Sequence, residues 1–267
     1  MHQMKYSRDL LNRFEMKDCN AAVTPTEMGL RLERGIEEED VDHTEFRRII
    51  GSLRYLCNTR PDLSYGVGIV SRHMQSPKVS HMNAVKRILR YLRGTCNLGI
   101  MFPCKKPRGE MKLVGFADAD RCGDMEDRKS TAGHIFYYGK GLVSWNSVKE
   151  PVVALSSCEA EYIAVAQAAC QAAWLRMLLK ELNAELIQPP TLFVDNKSAI
   201  DLAKHPSAHG KSKHIEMRFH FLRKQVNDKK LEVEHCSTED QSADIFTKPL
   251  KAARFCKLRE SLGIVRF

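Results

Sequence analysis

The feature that most constrains the fold of this chain is the stretch Lys112–Lys129, which reads KLVGFADADRCGDMEDRK. An apolar run leads directly into Asp118 and Asp120, and residues i and i+2 of a strand share one face of a sheet. The following Gly123-Asp124 pair indicates a turn. Carboxylates at the end of a buried strand often bind a hard cation such as Mg²⁺, although acidic residues after a strand are also common in solvated turns. The stretch therefore predicts a strand, a turn and a candidate metal-binding edge.

Composition favours a soluble protein with a polyanionic partner. The chain has 267 residues, of which 43% are hydrophobic and 28% charged, as is usual for a globular protein with a sizeable core. The net charge of +9 and the pI near 9.1 favour nucleic acid as that partner. Nine cysteines without a C-x-x-C pair indicate reduced, intracellular thiols rather than disulfides or a zinc site. We expect neither a signal peptide nor a membrane span, since the apolar stretch Tyr162–Leu175 is too short to cross a bilayer.

The hydrophobic pattern changes near residue 105 and predicts two domains. Apolar residues recur at helical spacing in three segments before that point, one of which we expect to begin at an N-cap, Thr44. The acidic run Glu37–Asp40 between the helices predicts a solvated loop. We therefore predict a helical domain over residues 1–105 and a second domain over residues 106–267.

The third helical segment carries a basic face. Lys86, Arg90 and Arg93 fall on its polar side, where their spacing suits phosphates along a nucleic-acid backbone. An ordinary solvated face has the same pattern, so the spacing leaves both interpretations open.

The second domain has a mixed α/β pattern. Three strands are followed by a long helix, a strand, two helices, a strand and a last helix. Ser156 and Glu159 have the spacing of a capping box and predict the start of the long helix. This order of elements predicts helices packed against one sheet.

Four acidic residues of this domain lie at element ends or beside apolar helix faces. A carboxylate near an apolar face is costly unless it is paired or bound to a metal. A salt bridge would satisfy each residue taken alone, but four acids in this order of elements favour a shared site. They are Asp118, Glu161, Asp195 and Asp244.

Beyond these patterns, long blocks of the sequence resemble one known family. From Lys112 to Leu250 the chain carries GFADADRCGDMEDRKSTAGHIF, VSWNSVKEPVVALSSCEAEYIA, LFVDNKSAIDLAKHP, KHIEMRFHFLR and STEDQSADIFTKPL. These blocks resemble the ribonuclease H domain of copia-type retrotransposon Pol polyproteins. Earlier blocks, including RRIIGSLRYLCNTRPDLSYGVGIVSRHMQSP and AVKRILRYLRGT, resemble the thumb and connection region of that family's reverse transcriptase. The resemblance implies a ribonuclease H-like mixed sheet with flanking helices, preceded by a small, mostly helical region.

The resemblance also implies a nuclease that hydrolyses the RNA strand of RNA–DNA hybrids. It assigns Asp118, Glu161, Asp195 and Asp244 as catalytic acids that hold two Mg²⁺ ions about 4 Å apart, which Mn²⁺ can replace. The 2′-hydroxyl would distinguish the RNA strand from DNA. Second-choice ligands, each close to a favoured acid, are Asp120 and Glu159.

Further nucleic-acid contacts are expected from Asn196, Lys213 and His214, together with the basic face named above. The sequence departs from the family at Arg121, which replaces a common aromatic residue. His235 also stands where an aromatic residue is frequent. We interpret His235 as a surface histidine, with assistance to product release as the alternative.

Two other functions remain open at this stage. One is a non-catalytic retroelement remnant that only binds nucleic acid, and the other is a strand-transfer enzyme of the same broad fold. The Y-x-D-D-like pair of a polymerase palm is missing, so we expect no DNA polymerase activity. We expect an intracellular location, cytoplasmic with the nucleus as the alternative. The remainder of a Pol polyprotein, or further copies of the chain, are the protein partners expected, and no membrane.

Overall fold

The structure is a computed structural model, and its residues form two compact units. Unit 1 contains Met1–Phe102, Asp124–Arg128 and Lys248–Phe267, whereas unit 2 contains Pro103–Gly123 and Lys129–Thr247. The residues that it describes are 1–30, 32–33, 37–103, 111–184, 186–204 and 213–267, without the side chains of 213–219.

The division between the units differs from the predicted one at the end of the chain. Residues 248–267 were assigned to the second domain, but they belong to unit 1. The physical reason is that they form a helix and a strand that pack with residues from the first hundred.

The described residues contain helices and strands in the following order. The helices are α1 (Met4–Arg13), α2 (His43–Leu56), α3 (Ser64–Val70), α4 (Val79–Thr95), α5 (Ser157–Glu181), α6 (Lys197–Lys204), α7 (Lys213–Asn227) and α8 (Ala252–Ser261). Short 3₁₀ helices cover Pro61–Leu63, Ser71–His73 and Ser242–Phe246. The strands are β1 (Leu98–Ile100), β2 (Leu113–Ala119), β3 (Thr131–Tyr138), β4 (Gly141–Lys149), β5 (Thr191–Val194), β6 (Glu232–His235) and β7 (Ile264–Arg266).

Helix α2 shows why the first part of unit 1 folds as helices. Its apolar residues follow a helical period and form one stripe, and α2 packs against α3 and α4. The helix begins after Asp42, whose carboxylate accepts a hydrogen bond from the Thr44 amide, so Asp42 and not Thr44 is the N-cap. The buried stripe consists of Phe46, Ile49, Ile50, Leu53 and Leu56.

The two ends of the chain meet in unit 1. Strand β1 pairs antiparallel with β7, with Leu98 opposite Arg266. The amine of Met1 donates a hydrogen bond to the Ile100 carbonyl at 2.6 Å. The pattern of the sequence did not predict β1, β7 or α8, and the pairing joins strands of three residues from opposite ends of the chain.

A buried polar network connects α8 to the centre of unit 1. The Arg60 guanidinium donates to both carboxylate oxygens of Asp62 at 2.9 and 2.7 Å, and to the Thr95 carbonyl at 2.8 Å. The Tyr91 hydroxyl donates to Asp62 at 2.6 Å and accepts from Arg259 of α8 at 3.2 Å. Burial opposes ionisation of Asp62, but the Arg60 guanidinium and the Tyr91 hydroxyl offset it and lower the pKa of that carboxyl.

The acidic run Glu37–Asp40 lies on the surface, as the predicted solvated loop would, and two of its carboxylates are bound near the start of α4. The Glu38 carboxylate accepts a hydrogen bond from the Ser80 amide in the first turn of α4, which lowers the pKa of Glu38. The Asp40 carboxylate pairs with Lys78 at 2.9 Å. The physical reason is that the first amides of a helix have no partner within it and attract carboxylates.

The sheet of unit 2 confirms the predicted mixed α/β fold with flanking helices. Its strand order is β4-β3-β2-β5-β6. Strands β2, β3 and β4 are antiparallel, whereas β5 runs parallel to both β2 and β6. Alternate residues of β2, such as Leu113 and Ala117, face the core formed with α5. A Cβ at Gly115, between them, would collide with the Phe136 ring, so glycine is required there.

Helix α5 is the central helix of unit 2. It begins as predicted, with the Ser156 hydroxyl accepting from the Glu159 amide at 3.1 Å. By length and composition alone it is apolar enough to cross a membrane, with an 18-residue window of mean hydropathy 1.2. Half of that window is buried inside the unit, as is usual for a core helix. The helix therefore holds its acidic N-terminal turns at a fixed place beside the sheet.

Candidate metal centre

Three of the four predicted acids converge at one edge of the sheet in unit 2. Asp118 lies near the end of β2, Asp195 directly follows β5, and Glu161 is in the second turn of α5. Because β2 and β5 are parallel neighbours, their carboxyl ends meet at the same edge. The nearest carboxylate oxygens of the three residues all lie within 4.8 Å of one another. Asp118 and Glu161 are buried, and Asp195 is partly exposed.

The donor set fits a hard divalent cation. Three carboxylates in a partly buried cluster repel one another unless a cation or a proton compensates their charge. Oxygen ligands of this kind suit Mg²⁺, Mn²⁺ or Ca²⁺ better than soft metals. We therefore regard Asp118, Glu161 and Asp195, the three-acid centre, as residues able to hold such an ion.

The fourth acid, Asp244, lies on the neighbouring Ser242–Phe246 helix. It is buried, and among the described residues it stands outside the group whose oxygens approach within 4.8 Å. Its backbone is nevertheless linked to that group, since the Thr247 hydroxyl that donates to Asp118 also lies 3.3 Å from the Asp244 carbonyl.

The Ser242–Phe246 helix is fixed to the sheet by hydrogen bonds on both sides. Gln241 donates from Nε2 to the Ala117 carbonyl at 2.9 Å, and its Oε1 accepts from the Ala243 amide at 3.1 Å. At the other end, the Thr247 hydroxyl donates to Oδ2 of Asp118. The Ser147 hydroxyl donates to the Phe246 carbonyl at 2.6 Å. The helix that carries Asp244 is thus held against the strand that carries Asp118.

Both second-choice ligands have local roles in the backbone. Asp120 accepts hydrogen bonds from the amides of Thr131 at 2.6 Å and Gly123 at 3.4 Å, and so organises the turn after β2. Glu159 accepts from the Leu155 amide at 2.6 Å and caps α5. Asp120 comes directly after Ala119, the last residue of β2, and its Oδ1 is the acceptor for both the Thr131 and the Gly123 amide.

The predicted basic face on α4 is engaged in part by the chain itself. Arg90 and Arg93 each donate from Nε to a backbone carbonyl, that of Asn20 at 2.8 Å and that of Lys17 at 2.7 Å. Lys86 is exposed and lies at the edge of a cavity of about 530 Å³. The two arginines therefore hold the segment after α1 in place, whatever else they bind.

The remaining predicted contacts lie in or near unit 2's helices. Asn196 caps α6, accepting from the Ala199 amide at 3.1 Å. His235 is exposed at the end of β6, opposite Val194 in the strand register. Lys213 and His214 begin α7, but their side chains lie outside the described residues.

Sequence reasoning did not identify the residues that support the acids. These are Gln241 and Thr247, and also Thr238, whose hydroxyl donates to Asp195 at 3.3 Å. One signal was present, because Gln241, Asp244 and Thr247 are each three residues apart, which matches the three-residue turn of a 3₁₀ helix.

Comparison with solved structures gives likenesses of low sequence identity. No family model matches the chain. The N-terminal RNase H domain of a Mycobacterium tuberculosis protein aligns with 57% of this chain and 98% of its own, at a TM-score of 0.39 and 12% identity. A foamy viral protease-reverse transcriptase, solved with an RNA/DNA hybrid, aligns with 77% of this chain and 26% of its own, at a TM-score of 0.46 and 14% identity.

Comparison with curated sequences gives matches that cover the whole or nearly the whole of this chain. The retrovirus-related Pol polyprotein from transposon RE2 of Arabidopsis thaliana is 41% identical over 266 residues, which is 100% of this chain and 18% of that polyprotein. The corresponding polyprotein from transposon TNT 1-94 of Nicotiana tabacum is 36% identical over 271 residues, which is 99% of this chain and 20% of that polyprotein. The chain therefore spans about a fifth of the relatives it matches. With this identity along its whole length, it belongs to the Pol polyprotein family of copia-type retrotransposons.

Proposed function

We propose that the chain is an endonuclease that hydrolyses the RNA strand of RNA–DNA hybrids with Mg²⁺ at the three-acid centre. The observation that carries this proposal is the convergence of Asp118, Glu161 and Asp195 from three separate elements within 4.8 Å. Membership of the Pol polyprotein family supports it, because reverse-transcribing elements form RNA–DNA hybrids. The basic net charge supports a nucleic-acid substrate.

Each residue of the site has a distinct task in this proposal. Bound Mg²⁺ would supply an activated water and charge stabilisation for the leaving oxygen. Asp118 and Asp195 hold their carboxylates at adjacent strand ends, where the sheet fixes their separation. Glu161 approaches from α5, and Asp244 provides a fourth carboxylate from the Ser242–Phe246 helix. Rigid elements thus carry all four acids, which keeps the site preorganised.

Substrate recognition is proposed for residues in both units. Lys86, Arg90 and Arg93 would contact phosphates, as would Asn196, Lys213 and His214. The 2′-hydroxyl is the group that distinguishes the strand to be cut from DNA.

The test is cleavage of a labelled RNA–DNA hybrid by the purified chain in the presence of Mg²⁺. We expect Asp118→Asn and Asp195→Asn to lower the cleavage rate on the order of a hundredfold or more, because cation stabilisation is worth several kcal/mol and each 1.4 kcal/mol is about tenfold. Chelation of Mg²⁺ should have the same effect. Asp201→Asn, an exposed acid on α6, is the matched control and should cut as the wild type does.

Each other outcome identifies a different error. A folded wild-type protein that binds the hybrid but does not cut it would be a non-catalytic remnant. Variants that cut as fast as the wild type would show that the site is wrongly assigned. Equal cleavage of duplex DNA would favour a strand-transfer enzyme.

A further inference from the structure

We infer that Thr247 positions the Asp118 carboxylate for cation binding. This inference rests on the proposed function, since it concerns the same three-acid centre. Thr247 lies outside that centre and acts only through Asp118, so it is a positioning residue.

The contact between Thr247 and Asp118 is fully buried. The Thr247 hydroxyl donates to Oδ2 of Asp118 and also lies 3.3 Å from the Asp244 carbonyl. A hydroxyl has one proton to donate, and a bond to a carboxylate is stronger than one to a neutral carbonyl. The proton therefore belongs to the bond with Asp118.

This hydrogen bond selects one orientation of the carboxylate. The terminal torsion of an aspartate has no sharp minimum, so an unsupported carboxylate samples a broad range of angles. Because Thr247 engages Oδ2, rotation of the group is restricted, and Oδ1 keeps one direction. A cation site gains affinity when its ligands are already oriented.

The hydroxyl can do this because Thr247 itself is fixed. Its amide donates to the Asp244 carbonyl at 3.2 Å, and Gln241 anchors the other end of the helix to β2. Gly133, opposite Asp118 in β3, leaves room for Thr247, since a Cβ there would lie 2.9 Å from Cγ2 of the threonine. The position of the hydroxyl is thus determined by backbone contacts on two sides.

The experiment compares two substitutions of Thr247 in the full chain. Thr247→Val keeps the shape of the side chain and removes the hydroxyl, whereas Thr247→Ser keeps the hydroxyl. Binding of Mn²⁺ alone is measured by calorimetry or electron paramagnetic resonance, without nucleic acid. We expect Thr247→Val to weaken Mn²⁺ binding about tenfold or more, and Thr247→Ser to stay within about threefold of the wild type.

A double-mutant cycle separates positioning from a general structural effect. In the Asp118→Asn background, Thr247→Val should cause no further loss of Mn²⁺ affinity, because the oriented carboxylate is already gone. An equal loss in both backgrounds would overturn the inference, as would a folded Thr247→Val protein with wild-type affinity. If the valine variant does not fold, Thr247→Ala takes its place, since it also removes the hydroxyl and reduces the contact with Gly133.

Hybrid cleavage measured on the same samples keeps the two proposals distinguishable. A wild type that binds Mn²⁺ and a valine variant that binds it weakly, without cleavage by either, would contradict the proposed function alone. Cleavage by the wild type with unchanged Mn²⁺ affinity in the valine variant would contradict the role of Thr247 alone. A wild type that binds no Mn²⁺ would contradict both.

Discussion

At the scale of single residues, Gly133 determines how closely the fourth acid approaches the sheet. It lies opposite Asp118 in the β2–β3 ladder and faces the Ser242–Phe246 helix. A Cβ at this position would lie 2.6 Å from Cβ of Phe246, an atom next to the backbone that cannot move away cheaply. The absence of a side chain here therefore permits the helix with Asp244 to contact the strand with Asp118.

We expect Gly133→Ala to lower the free energy of unfolding of unit 2 by about 1–3 kcal/mol, as overpacking does, and to weaken Mn²⁺ binding. Urea unfolding followed by tryptophan fluorescence measures this, because Trp145 and Trp174 both lie in unit 2. Gly51→Ala, at an exposed helical position of unit 1 with nothing within 4 Å, is the control and should leave the tryptophan transition of unit 2 unchanged. An unchanged free energy of unfolding in Gly133→Ala would show that the Ser242–Phe246 helix does not pack tightly against residue 133.

A second residue makes unit 2 sensitive to acid. Burial of His134 in β3 lowers its pKa to about 4, whereas an imidazole in the unfolded chain titrates near 6.5. Between these values the unfolded state binds a proton that the folded state excludes. The stability associated with neutral His134 is therefore fully present above pH 6.5 and is lost as the pH falls toward 4.

We expect His134→Leu to flatten this dependence. Between about pH 7 and about pH 4.5, the free energy of unfolding of the wild type should fall on the order of 2 kcal/mol more than that of the variant. Unfolding in urea with tryptophan fluorescence as the signal measures both proteins. Carboxylates contribute equally to the pH dependence of the wild type and the variant. Parallel plots of unfolding free energy against pH would therefore mean that protonation of His134 does not destabilise the folded state.

At the scale of elements, the buried network around Asp62 connects the Pro61–Leu63 turn, α4 and α8. The Arg60 and Asp62 side chains are only 1% and 0% exposed, so neither charge has water as an alternative partner. Removing one member of such a pair leaves the other charge buried without compensation. Disruption of the network is therefore expected to destabilise unit 1, because it leaves a buried charge without its partner.

We expect Asp62→Asn to lower the free energy of unfolding of unit 1 by about 3–5 kcal/mol. Asp40→Asn, which removes the partner of Lys78 at a site where the carboxylate is 74% exposed, should cost less than about 1 kcal/mol. Thermal unfolding by circular dichroism measures both, with tryptophan fluorescence as a reference for unit 2. Equal losses in the two variants would contradict the importance of burial.

The sequence predicts some of these elements well, and physical reasons explain the rest. The order and type of the elements in unit 2 could be predicted from short apolar runs bounded by turn residues and from the Ser156 cap, which are local signals. The pairing of β1 with β7 depends on partners more than 160 positions apart, and strands of three residues carry almost no periodicity.

The candidate site shows the same division. Three carboxylates could be predicted because Asp118 and Asp195 lie at strand ends and Glu161 lies beside an apolar helix face. The support from Thr247 and Gln241 depends instead on the packing of the Ser242–Phe246 helix. The hydrogen bonds from Arg90 and Arg93 to the segment after α1 could likewise not be predicted. Their acceptors are backbone carbonyls, which every residue carries.

At the scale of the whole molecule, unit 2 lies in the chain order between Met1–Phe102 and Lys248–Phe267, the two long segments of unit 1. We expect deletion of Ala252–Phe267, which removes α8 and β7, to impair unit 1 and to spare unit 2. The tryptophan-monitored transition should be unchanged, while the circular dichroism transition of unit 1 should lose its cooperativity. A shifted tryptophan transition would show that unit 2 depends on the deleted residues.

The pairing of β1 with β7 also has a consequence for the order in which a ribosome completes the two units. Every residue of unit 2 has been synthesised once Thr247 is added, whereas unit 1 lacks β7 until Arg266. During translation, domains nearer the N-terminus usually fold first. Here the helices that precede β1 wait for β7, and the carboxylate-bearing unit is complete before β7 is made.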